Sequence, residues 1–138
     1  MKNKLQISCN RQNLKNVREF IARSLDGTKL SGVEINSLVL AVDEVCANVI
    51  IHSNKCNENE KLEVFTELKE NEVIFEVIDN GRGYDLRKHE APNLKEIVKS
   101  KRKGGVGLLL VQKIMDEIDF IPYNKGHIIR LIKHIWKD

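Results

Sequence analysis

The sequence predicts an α/β fold, a two-layer α+β sandwich in which a mixed, mainly antiparallel sheet is covered on one face by three helices. The chain has 138 residues, of which 41% are hydrophobic and 31% charged, as is typical of one globular domain with a real core. Strand and helix periodicities alternate in the order β-α-α-β-β-loop-α-β-β. Short turns join consecutive strands, which therefore pair antiparallel and leave the helices to pack on one face. We expect residues 1–138 to form a single domain.

One strand and two helices are predicted in the first half of the chain. Alternating apolar and polar residues over 5–9 indicate the strand, and apolar residues at helical spacing over 14–25 indicate the first helix. Ser31 and Glu34 have the spacing of a capping box, in which each side chain bonds the other residue's backbone amide. A second helix should therefore begin there and run to about His52.

The second half of the chain predicts four strands, a helix and a long loop. The strands are expected at 62–68, 73–78, 118–123 and 127–135, and the helix at 106–115. The segment from Asp79 to Gly105 is rich in glycine, carries the basic run 99–103 and has one candidate helical turn near 94–98. Loops of that length in a compact domain are usually functional.

Charge and cysteine content narrow the classes of partner and compartment. The formal net charge of +3 is too small to indicate a nucleic acid or a membrane surface as partner. Cys9, Cys46 and Cys56 lack zinc-ligand spacing and are odd in number, so we expect free thiols in a reducing compartment. Residues 1–10 lack the apolar stretch of a signal peptide, and a cytoplasmic protein is expected.

The second helix carries an unusual polar stripe. Glu44, Asn48 and His52 follow one another at intervals of four residues, so they lie along one side of a helix that is otherwise mostly apolar. Burying a carboxylate or an amide is costly unless it is paired. The stripe therefore indicates a ligand, a metal or a side-chain network, although satisfied core polar residues would give the same pattern.

Asp79 comes directly after the third predicted strand and is followed by Gly81 and Gly83. A carboxylate at a strand end supplies a fixed hydrogen-bond acceptor, and alternating glycines let the backbone approach a ligand closely. The same pattern is found in simple tight turns, so this motif alone leaves both interpretations open.

Glycines also open the last predicted helix, at Gly104, Gly105 and Gly107. The first amides of a helix have no partner within it, and the positive end of the helix dipole attracts anions, so this terminus is a candidate phosphate site. Such glycines often begin helices that bind no phosphate, and the signal is weak by itself.

In this order, the three motifs resemble the nucleotide site of the GHKL superfamily, which has the Bergerat fold (HATPase_c). Glu44-x-x-x-Asn48-x-x-x-His52 looks like the N box of that family, and the segment from Asp79 to Gly83 looks like its first glycine box. Gly105-x-Gly107-Leu108 looks like the second glycine box. The closer resemblance is to the stand-alone anti-sigma-factor serine-protein kinases, and it covers nearly the whole chain.

The resemblance implies ATP and Mg²⁺ as cofactors and a role for each matched residue. Asn48 is implied as the Mg²⁺ ligand, and Glu44 as the catalytic base that takes the proton from the attacking hydroxyl. Asp79 is implied to accept a hydrogen bond from the adenine amine, with Gly81 and Gly83 lying close to the base. Contacts to the nucleotide phosphates are implied for Lys103, Gly104, Gly105, Val106, Gly107 and Leu108. Residues of about 84–104 are implied to form the ATP lid.

The chain departs from the family pattern in two places. Family members often carry an arginine just before the second glycine box, whereas Arg102 here is followed by Lys103 and Gly104. A third box with a threonine or serine is not evident, because Gly126 is followed by His127. The basic lid run is equally compatible with a solvated charged surface.

The resemblance implies a bacterial, ATP-dependent serine/threonine-protein kinase that is also an anti-sigma factor. Its partners would be a sigma factor and a STAS-domain anti-anti-sigma protein, which it would phosphorylate, and it would form a homodimer. The first alternative is a catalytically silent ATP-binding module that acts by sequestering its partner. The second is the ATP-binding domain of a histidine-kinase-like system, which is disfavoured because no helical hairpin with a phospho-accepting histidine is evident.

Overall fold

The helices and strands of this computed structural model lie within the described residues, which are 2–53, 57–79, 105–123 and 126–135. The strands are β1 (Lys2–Ser8), β2 (Lys61–Leu68), β3 (Glu72–Asp79), β4 (Glu117–Tyr123) and β5 (Gly126–His134). The helices are α1 (Leu14–Leu25), α2 (Gly32–Asn48) and α3 (Gly105–Ile114). The strands form one sheet in the order β1-β2-β3-β5-β4, and each described neighbouring pair is antiparallel.

The core lies between one face of the sheet and the helices. On β3 the helix-facing residues Val73, Phe75 and Val77 are fully buried, and the residues between them are only partly buried. This alternation is the period of two that places successive side chains on opposite faces of a strand. The apolar stripe of α1 is buried in the same way, and α2 packs against α1, α3 and β3.

The start of α2 is fixed by the capping box that the sequence predicts. The Ser31 hydroxyl accepts a hydrogen bond from the Glu34 backbone amide at 3.1 Å, and the Glu34 carboxylate accepts one from the Ser31 amide at 3.1 Å. Both bonds satisfy amides that a helix start leaves without a partner. The position of α2 along the sequence is therefore determined locally, seventeen residues before the helix reaches Asn48.

The predicted fold class and element order are confirmed, with small differences at the ends of elements. The helix α2 ends at Asn48, and the chain then forms a π-helical turn over Val49–Ser53, where the sequence predicts continued helix. The predicted sheet is mixed, whereas the described strands pair only antiparallel. The predicted helical turn near 94–98 and the lid at about 84–104 lie outside the described residues.

Within the described residues, no helix is both long enough and apolar enough to cross a membrane. Cys9 and Cys46 are buried free thiols, as the sequence predicts, and Cys56 lies outside the described residues. Burial raises the pKa of the Cys46 thiol far above its usual range, with a smaller contribution from the charge of Asp43. A buried thiol with such a raised pKa is unreactive, so Cys46 is not a candidate nucleophile.

Candidate functional site

Asn48 and Glu44 occupy successive turns at the end of α2. The Asn48 side-chain nitrogen Nδ2 donates a hydrogen bond to the Glu44 backbone carbonyl at 2.7 Å, and both residues are partly buried. A carbonyl only accepts hydrogen bonds, so the amide must present its NH₂ group to Glu44 and its oxygen Oδ1 to the other side. The helix thus orients one side-chain oxygen for a further partner.

The Glu44 carboxyl lies in an environment that makes it a stronger base. Burial raises its pKa above the ordinary value for glutamate, and the neighbouring charge of Asp43 raises it further. Desolvation and a like charge both disfavour the ionised form, which is why the two effects act in the same direction. A carboxylate with a raised pKa takes up a proton more readily, as a general base must.

Asp43 is held by an ion pair between the first two helices. Its Oδ1 lies 3.2 Å from the Arg18 guanidinium nitrogen Nη1 on α1. Burial raises the pKa of Asp43, and the charge and hydrogen bond of Arg18 oppose that rise. Arg18 therefore favours the ionised form of Asp43, whose negative charge in turn acts on Glu44.

The backbone that carries the predicted polar stripe is α-helical only as far as Asn48. His52 falls in the π-helical turn Val49–Ser53, where hydrogen bonds span five residues rather than four. The α-helical backbone spacing on which the predicted stripe rests therefore extends only to Asn48. The side chain of His52 lies outside the described part of the structure.

Asp79 is fully buried at the end of β3. In the sheet register it faces Leu62 of β2 on one side and His127 of β5 on the other. His127 is only 3% exposed, so the end of the sheet holds two polar side chains that are nearly removed from solvent. The Asp79 carboxyl thus lies at a strand end, as the sequence predicts, and its role as an acceptor for a nucleotide stays a prediction.

The helix α3 begins at Gly105, within the predicted second glycine box. The backbone of Val106, Gly107 and Leu108 forms its first turn, and the side chains of Val106 and Leu108 lie outside the described part of the structure. Phosphate binding at this helix start stays a prediction. The other predicted nucleotide-binding positions also lie outside the described residues. Those positions are Gly81, Gly83, Lys103 and Gly104.

The described site residues belong to neighbouring elements. The helix α2, which carries Glu44 and Asn48, packs against both β3 and α3. Asp79 ends β3, and Gly105 begins α3. The fold thus places α2 against both β3 and α3, although the motifs of the three elements are far apart in the sequence. The grouping of these residues into one site stays a prediction.

His127 is the site residue that sequence reasoning missed. In the sequence, His127 is notable only as a departure from the family pattern. A signal was available in the sequence, because residues two positions apart on a strand lie on the same face of the sheet. His127 lies on the same face as Ile129 and Leu131, which are both buried on the helix-facing side of β5. Its partner could not be read from the sequence, because Asp79 is 48 positions away and the pairing depends on the sheet order.

A second group of potential metal ligands lies at the opposite end of the sheet. Oxygen and nitrogen atoms of Glu72, Glu117 and His134 come within 4.8 Å of one another. Glu72 begins β3 and Asp79 ends it, so the two ends lie about 23 Å apart at the rise of a strand. This exposed cluster is therefore separate from the site built on Asn48 and Asp79.

The fold and the site define the class to which the chain belongs. A family model described as a histidine kinase-like ATPase domain matches residues 7–133. This match covers most of the chain, which therefore belongs to the histidine kinase-like ATPase domain family, and the resemblance to GHKL proteins is confirmed.

The curated relatives include bacterial proteins named serine-protein kinase RsbW. The relative from Listeria innocua is 31% identical over 105 residues, which cover 73% of this chain and 66% of that protein. Relatives from Bacillus cereus and Bacillus anthracis are 30% identical over 109 residues, which cover 76% of this chain and 67% of each of them. The chain thus spans about two thirds of the length of the relatives that it matches.

The described residues fit the Mg²⁺ that the resemblance implies. Mg²⁺ binds oxygen ligands, keeps several waters and usually takes only one or two groups from a protein. Asn48 offers a single oriented oxygen at a helix end, because its nitrogen is engaged by the Glu44 carbonyl. This donor suits a hard cation shared with phosphate groups.

Proposed function

We propose that the chain is an ATP-dependent serine/threonine-protein kinase and anti-sigma factor of the bacterial cytoplasm. The observation that carries the proposal is the pairing of a carboxyl of raised pKa, Glu44, with an oriented amide oxygen one turn later, at Asn48. A base and a metal ligand held on adjacent helical turns are what transfer of a phosphoryl group to a hydroxyl needs. Membership of an ATPase family and relatives named serine-protein kinase support it.

Each described site residue has one task in this proposal. Asn48 Oδ1 would hold Mg²⁺, which supplies charge neutralisation at the phosphates. Asp79 would accept a hydrogen bond from the exocyclic amine of adenine and so orient the nucleotide. The backbone amides that open α3 would bind phosphate oxygens.

Glu44 would act on the protein substrate. Its carboxylate accepts the proton of a serine or threonine hydroxyl while that oxygen forms a bond to the γ-phosphorus. The bond between the γ-phosphorus and the bridging oxygen breaks, and ADP leaves with that electron pair. The raised pKa of Glu44 favours uptake of the proton at this step.

The partners in the proposal follow from the family resemblance. The substrate would be a STAS-domain anti-anti-sigma protein, and the sequestered partner would be a sigma factor. Phosphorylation would prevent the STAS protein from releasing the sigma factor. The active form would be a homodimer, which light scattering of the purified protein would test.

The test is incubation of the purified protein with Mg²⁺, radiolabelled ATP and the STAS protein encoded nearest to its gene. The proposal expects label on a serine or threonine of that protein, stable to acid. Label on histidine would indicate a histidine-kinase-like function. Tight ATP binding and stable capture of a partner without any transfer would indicate the catalytically silent module.

A further inference from the structure

We propose that His127 is a positioning residue for base recognition, which fixes the Asp79 carboxylate so that one of its oxygens faces the nucleotide amine. This inference rests on the proposed nucleotide site and adds a residue and a specificity to it. It follows from the position of His127 in the sheet. The sequence alone shows only that His127 stands where a hydroxyl residue is expected.

The sheet register sets the two side chains against each other. Asp79 and His127 are direct partners of the antiparallel pair β3–β5. Directly opposite residues project from the same face of a sheet, with Cβ atoms about 4.5–5.5 Å apart. That separation lets an imidazole nitrogen reach a carboxylate oxygen. The pair faces the helices, as does buried Val77, two residues before Asp79.

Because both side chains are buried, a hydrogen bond between them would strongly affect the orientation of the Asp79 carboxylate. Asp79 has no solvent exposure and His127 has 3%. A carboxylate removed from water needs hydrogen-bond donors, and a hydrogen bond from a neighbouring ring also fixes its rotation about χ2. An imidazole is rigid and carries its N–H in the ring plane, so it can hold the carboxylate in one orientation.

The protonation state of His127 suits this task at neutral pH. Burial lowers its pKa below the ordinary value for histidine, and the Asp79 charge opposes that change in part. It faces Asp79 from β3 and the uncharged Pro122 from β4, and among the described residues Asp79 is the charged group that acts on its pKa. The neutral ring has one N–H to donate to Asp79.

A fixed carboxylate also selects the base. Adenine presents an amine that donates to a carboxylate, whereas guanine presents a carbonyl oxygen at the same position, which a carboxylate repels. A carboxylate that can rotate would discriminate less, because it can turn away from the guanine oxygen. His127 should therefore contribute to both the affinity for ATP and the preference for ATP over GTP.

The test is calorimetric titration of the full chain with Mg-ATP and Mg-GTP between about pH 5.5 and 8, the range in which histidine titrates. His127→Phe removes both ring nitrogens, His127→Asn keeps a side-chain donor, and Thr66→Val is the control, since it changes another buried polar side chain of the sheet. Circular dichroism at each pH verifies folding. The proposal expects His127→Phe to bind ATP about tenfold more weakly, which is the loss expected for one hydrogen bond to a charged group. The ratio of its affinities for ATP and GTP should also be smaller than in wild type. His127→Asn should restore most of both.

The pH profile separates positioning from a purely structural role. Protonation of His127 places a positive charge beside Asp79 and makes the carboxylate a weaker acceptor for the nucleotide amine, so wild-type affinity should fall as the pH is lowered through the histidine range. His127→Asn should lack this fall in affinity. Protonation of the nucleotide phosphates affects both proteins equally, so it cancels when the two pH profiles are subtracted. If the two profiles coincide, or if His127→Phe binds both nucleotides like wild type, the inference is wrong. If the wild-type protein binds no ATP at any pH, the proposed function itself fails.

Discussion

The side chain of Asn48 is tied to Glu44 through a hydrogen bond from Nδ2 to the Glu44 backbone carbonyl, 2.7 Å long. The bond spans one helical turn and lies at the last residue of α2. It joins the residue proposed to hold Mg²⁺ to the residue proposed to act as the base. The spacing of the two functions is thus set by the helix rather than by a loop, which favours a precise geometry.

Asn48→Ala should weaken binding of Mg-ATP by about tenfold or more while changing the Mg²⁺-free binding of ATP little, because the proposal gives Asn48 a contact to the metal and none to the nucleotide. Calorimetric titration with and without Mg²⁺ measures both values. Asn36→Ala removes an exposed amide from the same helix and is the matched control. Equal losses with and without Mg²⁺ would show that Asn48 contributes to the fold or to the nucleotide but not to a metal.

Asp43→Asn should move the acidic limb of the phosphotransfer pH profile to lower pH. The charge of Asp43 raises the pKa of Glu44, so its removal lowers that pKa. A general base loses activity as the pH falls through its pKa, and a lower pKa therefore extends activity towards acid. Initial rates from about pH 5 to 8 measure the shift. Asp119→Asn, at an exposed position on β4, should leave the limb in place.

Thr66→Val should stabilise the protein by about 1 kcal/mol. It removes a buried hydroxyl whose desolvation costs free energy that no hydrogen bond within the described residues offsets. Thr66 is fully buried, and its Oγ1 has no hydrogen-bond partner among the residues that the structure describes. Urea unfolding measures the change. Val64→Thr places a second hydroxyl on the same buried face and should destabilise. A loss of stability in Thr66→Val would mean that the hydroxyl has a partner.

Wild-type stability should fall with pH in a way that depends on His127. Burial lowers the pKa of His127 in the folded state, so below about pH 6.5 the unfolded chain binds a proton that the folded chain does not. The stabilising contribution is complete above that pH and is lost as the pH falls towards the folded pKa. Urea unfolding at several pH values should show a smaller decline for His127→Asn than for wild type, and equal declines would contradict this contribution.

The fold was predictable because its signals are local. The capping box of Ser31 and Glu34, the apolar stripe of α1 and the alternation on β3 each act within a few residues. The sheet alternation also indicates which side of each strand meets the helices. These features combine into one element order, which the structure confirms.

The parts of the site that sequence reasoning missed depend on contacts between distant segments. The pairing of Asp79 with His127 requires β5 to lie beside β3, an arrangement that the order of strands in the sequence does not specify. The ion pair of Arg18 with Asp43 depends on how α1 packs on α2. The π-helical turn after Asn48 has no pattern of its own in the sequence, because its residues are as apolar as those of the helix before it.

The most direct test of the central claim compares the phosphotransfer rate of Glu44→Gln with its affinity for Mg-ATP. The amide keeps the shape of the side chain and cannot take up the proton, so transfer to the STAS substrate should fall by about a hundredfold or more. Affinity should stay within about twofold, because the proposal has Glu44 act on the attacking hydroxyl and not on bound nucleotide. Glu19→Gln, at an exposed position on α1, should change neither quantity. Undiminished transfer in Glu44→Gln would contradict the assignment of Glu44 as the base.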